Sequence, residues 1–164
     1  MSNESPQLGE KSPLLVGDFY DGAYGPTIIL IASSPAACGW LQDAFRELAH
    51  GGPSHTLTAE PEMRFTNVEA IEMVCRPDGP RVTLRHSDGT DGRDFVWSAT
   101  ADGWLCLADL IQPLTDGGAG HQYLTEDEDD VALIELSVGE EEVVRAARSA
   151  SGGADEFAKR SRDG

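Results

Sequence analysis

The chain has 164 residues, of which 40% are apolar and three are tryptophan, and a formal net charge of −17. This length suits one domain with a core that needs neither disulfides nor metals. The apolar content argues against the disorder that the charge alone would suggest. The longest apolar run, residues 28–32, is far too short to span a bilayer.

Residues 1–13 are polar and lack a basic start followed by an apolar stretch, so no secretory signal is visible. The expectation is a soluble cytoplasmic protein with a flexible tail at 1–13, one folded body at 14–149 and a second flexible tail at 150–164. Residues 14–26 (LLVGDFYDGAYGP) set aromatic and apolar groups between glycines, consistent with an irregular strand or arm.

Residues 27–33 (TIILIAS) form a continuous β-branched run, the pattern of a central buried strand. Ser34 and Pro35 follow, a good helix cap and a favoured first helical residue. The helix is expected to reach His50, where Gly51, Gly52 and Pro53 stop it. Ala37, Leu41, Ala44, Phe45 and Leu48 recur at three- and four-residue steps and make its apolar face.

Residues 54–58 read as a short edge strand. Residues 67–75, 81–86 and 94–98 read as three strands joined by the turn segments 77–80 (PDGP) and 87–92 (SDGTDG). An antiparallel meander is expected. Residues 101–114 form a second helix, capped by Ser98 or Thr100, with Trp104, Leu107, Ala108, Ile111 and Leu114 inward. After the glycine-rich loop 115–120 comes a strand at 130–138. A short helix is expected at 140–149, with acids at its start and arginines near its end. The order β-α-β-β-β-α-β predicts an α+β two-layer sandwich: one mostly antiparallel sheet with both main helices on one face.

Charge is unevenly placed. Residues 94–144 hold thirteen acids and no lysine or arginine. Residues 1–93 carry thirteen acids against seven bases, a net of −6, and residues 145–164 carry three against five, a net of +2. Base composition or adaptation to salt would spread acids evenly, so the concentration is more informative than the total. Such a patch steers a cationic partner. Nucleic acid is a poor direct partner, because its phosphates need Lys and Arg. The local basic group of Arg76, Arg81, Arg85 and Arg93 is diluted by aspartates.

Several constellations bear on chemistry. Glu126, Asp127, Glu128, Asp129 and Asp130 are consecutive, so their side chains diverge and do not match a calcium loop. A solvated loop, a partner-facing patch and a metal site are three readings of them; the expectation is no metal and no cofactor. Residues 88–94 (DGTDGRD) fit a hairpin loop better than a cation cradle. His121 and Tyr123 would share a face of an extended segment, and His121 beside carboxylates suits acid–base work.

Ser33 and Ser34 lack the flanking glycines of a nucleophile elbow, and no phosphate-binding glycine motif is present. Cys38, Cys75 and Cys106 are too widely spaced for a zinc site or a disulfide framework and read as small buried hydrophobes.

Small size, a compact α+β layout, strong acidity and the segment GHQYL followed by acids and a strand (residues 120–138) together resemble the immunity proteins of bacterial polymorphic toxin systems. The resemblance implies a toxin domain as partner and assigns no role to a single residue.

Three readings follow. The first is a non-catalytic acidic binding protein that engages a basic protein surface through Asp116, Tyr123, Glu126, Asp127, Glu128, Asp129 and Asp130. The second is a small enzyme or ligand-binding domain with a pocket near His121. The third is a cytoplasmic domain whose acidity reflects only its host.

Overall fold

The computed structural model describes residues 15–23, 25–87, 92–125 and 130–139. The expected tails, the expected helix at 140–149 and the tip of the 87–92 turn lie outside them. The described part is α+β, with nine strands in two mixed sheets.

The first sheet begins as a hairpin of β1 (Leu15–Gly22) and β2 (Gly25–Ala32), paired from Leu15 with Ala32 to Gly22 with Gly25. The segment expected as an irregular arm is therefore a full strand. Its glycine at 17 is a packing feature: a Cβ there would collide with the ring of Phe65, on a neighbouring strand. α1 (Pro35–Ala49) buries Ala37, Leu41, Ala44, Phe45 and Leu48, as its spacing predicts. Ser34 takes the extended N-cap backbone, but its hydroxyl makes no cap bond; its carbonyl accepts from Ala37 N at 3.1 Å. Gly51 ends the helix with φ of 85°, a conformation open to glycine.

β3 (His55–Thr56), a 3-10 turn (Leu57–Ala59), β4 (Met63–Thr66) and β5 (Ala70–Cys75) follow. Next come β6 (Val82–His86) and β7 (Asp94–Ala99). β6 and β7 form the expected antiparallel hairpin, but β5 pairs with β7 in parallel, leaving β7 between them. The meander expectation fails at the link 76–81. Pro77 and Pro80 lack an N–H and do not suit a tight hairpin turn. The link instead clasps the end of β7: Arg76 N donates to Ala99 O at 2.8 Å and Thr100 N to Arg81 O at 3.1 Å.

α2 (Ala101–Leu110) is capped by Thr100, whose hydroxyl accepts from Gly103 N at 3.2 Å. The continuous helix expected to Leu114 breaks at Ile111, and α3 (Gln112–Thr115) restarts the turn. Pro113 is the cause: it cannot donate, and its ring crowds the carbonyl four residues back. β8 (Gly120–Tyr123) and β9 (Leu133–Val138) complete the first sheet, ordered β4-β1-β2-β9-β8. The second is ordered β3-β5-β7-β6.

One core lies between the apolar faces of both sheets and the helices. Ile28, Leu30, Ile134 and Leu136 face it from one sheet, and Ile71, Met73, Leu84, Phe95 and Trp97 from the other. The sheets meet at Phe19 and Phe95, with ring centroids 5.8 Å apart. The helices lie side by side, joined to the second sheet by Phe45, Trp97 and Trp104, whose centroids are 5.3 to 5.4 Å apart. Trp104 also donates to Val74 O at 3.2 Å. Among the described residues no helix is long and apolar enough to cross a membrane.

Candidate functional site

The base-free stretch contributes α2, α3, β8, β9 and the connections between them. α3 ends at Asp116, which is exposed and accepts from Gln112 Nε2 at 2.9 Å. Gln112 in turn accepts from Gln42 Nε2 at 2.8 Å, and that buried amide nitrogen also donates to Ala108 O at 2.7 Å. Asp116 thus ends a polar chain that ties α1 to the α2–α3 corner. Gly117 and Gly120, with φ of 98° and 129°, let the chain reverse and enter β8.

β8 is an edge strand, paired with β9 on one side. His121 and Tyr123 share its outward face, as the extended spacing predicts, with rings 5.5 Å apart and edge-to-face. His121 is exposed, and Tyr123 is 43% exposed, one of two large hydrophobic residues so placed among the described residues. Register carries this face across the sheet. Tyr123 lies opposite Glu135, Glu135 opposite Ile29 and Ile29 opposite Asp18. His121 lies opposite Ser137. Asp18 is nearly buried and accepts from Asn67 Nδ2 at 3.0 Å.

Sequence spacing could not associate Asp18 with Tyr123, because the association runs through the parallel β2–β9 pairing. The proximity of Glu135 was open to inference only as a choice among carboxylates. His121 is exposed on the edge strand β8, whereas Asp109 belongs to α2.

Beyond β8 the chain is held firmly. Leu124 N donates to Ile134 O at 2.7 Å, and the buried Thr125 hydroxyl accepts from Ile134 N at 3.0 Å. Glu126, Asp127, Glu128 and Asp129 lie outside the described residues. Asp130 differs from the expectation of a partner-facing acid, because its side chain is only 1% exposed. Its Oδ1 accepts from Leu84 N at 2.7 Å and from Thr83 Oγ1 at 3.3 Å, with Arg85 Nη1 at 3.7 Å. Val131 N then donates to Leu84 O at 3.2 Å. Asp130 and Val131 together therefore satisfy the outer edge of β6. A buried backbone N–H needs such an acceptor, and nothing in a run of five acids marks the fifth as the one that supplies it.

No metal-binding group of three or more His, Cys, Asp or Glu is gathered among the described residues. All three cysteines are free; Cys38 is buried, and burial pushes its thiol up to about 11, while Cys75 and Cys106 are half-buried. Comparison with protein-family models, curated proteins and solved structures returned no match for the chain.

Proposed function

We propose that this chain is a non-catalytic binding protein whose acidic side, centred on the β8 edge, engages a basic surface of another protein. The observation that carries the reading is Tyr123: a large, exposed ring on an edge strand, inside 51 residues that contain thirteen acids and no lysine or arginine. A rigid aromatic group surrounded by one sign of charge combines an anchor with a steering field.

The proposed contact set is Tyr123, Asp116 and the acids Glu126, Asp127, Glu128 and Asp129. Asp130 is left out, because its carboxylate serves β6. A partner with a nucleic-acid-binding cleft, such as a toxin domain, supplies the required basic surface, and occupying that cleft is the proposed mechanism of neutralisation. The cytoplasm is the proposed compartment.

An enzyme or ligand-binding site built on His121 draws less support, since the ring lies exposed beside Tyr123. Acidity that reflects only the host predicts no partner at all.

Immobilised chain should retain a basic protein from cell extract at low salt and release it at high salt, because screening weakens exposed charge pairs. A variant with Glu126, Asp127, Glu128 and Asp129 changed to Gln or Asn, and a separate Tyr123→Ala variant, should each lose that protein, identified by mass spectrometry. Retention unchanged in both variants, or no retention by the unaltered chain at low salt, defeats the reading.

A further inference from the structure

The first sheet has a face turned away from the core. Ile28, Leu30, Ile134 and Leu136 point to the core side, where the helices and the second sheet pack. Side chains alternate along a strand, so Thr27, Ile29 and Ile31 of β2 point the other way. Register sets Asp18 and Tyr20 of β1 and Glu135 and Ser137 of β9 beside them, with His121 and Tyr123 at the β8 edge.

This face is too well buried to be bare. An uncovered sheet face leaves its side chains partly in water, yet Ile29 is 2% exposed and Ser137 0%. Ile29 is buried without joining the core cluster. Tyr20 and Thr27 both lie against Gly22, so the tyrosine ring shields Thr27, but Ser137 is two strands away from it. Asp18 is 7% exposed, and the Asn67 amide supplies one bond to its carboxylate. A buried carboxylate is costly unless it is paired and hydrogen-bonded. Asp18, Tyr20, His121, Tyr123, Glu135 and Ser137 each hold at least one further hydrogen bond, ion pair, ring or electrostatic contact. All six stand on this one face.

We infer that the chain's own C-terminal segment, residues 140–164, docks on this face as an internal strap, with Arg145 and Arg148 on Glu135 and Asp18. Gly139, with φ of 73°, lets the chain turn as it leaves β9 two residues after Ser137. β1 lies about 10 Å from β9, a distance that about three extended residues cover, so the segment has length to spare. Its sequence supplies both kinds of contact. Val143, Val144, Ala147 and Ala150 are spaced to share an apolar side for Ile29 and Ile31. Arginine forks match carboxylates in bidentate fashion, and residues 145–164 are the one stretch of net positive charge, with three acids against five bases. Glu140, Glu141 and Glu142 precede the arginines, and Arg64, opposite Val16, lies at the β4 margin of the face. Residues 1–14 are the poorer occupant, with Lys11 against Glu4 and Glu10. The strap concerns the chain alone, so it stands or falls apart from the proposed partner.

The test is methyl NOE spectroscopy of the full chain. The δ1 methyl of Ile29 should show NOEs to Val143 or Val144, and the same NOEs should be absent between differently labelled copies in a mixed sample. A full chain carrying Arg145→Glu and Arg148→Glu together should lose these NOEs, while the fluorescence of the buried Trp97 and Trp104 stays unchanged. NOEs from Ile29 to residues 1–14 instead, NOEs between copies, or none to residues 140–164 would each overturn the strap. NOEs that survive undiminished in the double variant would overturn the pairing of the arginines with Glu135 and Asp18.

Discussion

Asp130 gives the sharpest prediction, because it separates a structural acid from the partner-facing acids beside it in sequence. In Asp130→Ala the N–H of Leu84, a fully buried residue, loses its 2.7 Å acceptor, and Thr83 Oγ1 loses its 3.3 Å acceptor. Leaving a buried donor unsatisfied costs about 1–3 kcal/mol. The Arg85 contact adds little, since that side chain is 43% exposed and 3.7 Å away. Asp130→Ala should therefore destabilise the fold by about 2 kcal/mol. Asp130→Asn retains an acceptor oxygen and should cost about half as much.

Urea unfolding followed by tryptophan fluorescence is the assay, because Trp97 and Trp104 are fully buried and report loss of the core. A change of about 2 kcal/mol corresponds to a Tm lower by about 4–8 °C in a domain of this size. An Asp130→Ala protein as stable as the unaltered chain would refute the edge-satisfying role. If it also lost partner capture, Asp130 would belong with the surface acids after all.

Gly17→Ala should destabilise by about 1–3 kcal/mol through overpacking against the Phe65 ring. A Phe65→Leu background should recover part of that loss in a double-mutant cycle read by urea unfolding. Tyr123→Ala should leave stability within about 0.5 kcal/mol, because the ring is 43% exposed, while abolishing partner capture; unfolding and capture measured on one preparation check both halves. The Cys38 thiol, raised from 9.0 to about 11 by burial, should resist a thiol reagent at pH 8 until the chain unfolds. Its folded pKa lies above its unfolded one, so the stability linked to the neutral thiol is intact below pH 9.0 and declines between 9.0 and about 11. A stability profile flat across that window would contradict the shift.

Local periodicity reveals what neighbouring side chains can do within one segment. The apolar steps of α1, the β-branched run of β2, the alternation of β6 and the strand at β9 were all legible for that reason. So was the shared face of His121 and Tyr123, which follows from the two-residue repeat of any strand. Gly17 misled in the other direction: read locally it weakens a strand, whereas in the fold it makes room for Phe65. Pro113 was visible, but its power to split α2 from α3 was outweighed by an apolar spacing that runs through it.

The α+β class, the main helices and strands, and the concentration of acids without lysine or arginine depend on residue type and short-range spacing, and so they are readable before the chain folds. The parallel pairing of β2 with β9 and of β5 with β7, and the division of the strands into two sheets, emerge with long-range packing. Pairing between distant strands is selected by which faces can be buried together, a property of the whole chain. The same long-range packing turned Asp130 inward to the β6 edge and left Tyr123 on an open one. It also set Thr83 and Arg85 against Ser98 and Val96 on neighbouring strands of the second sheet.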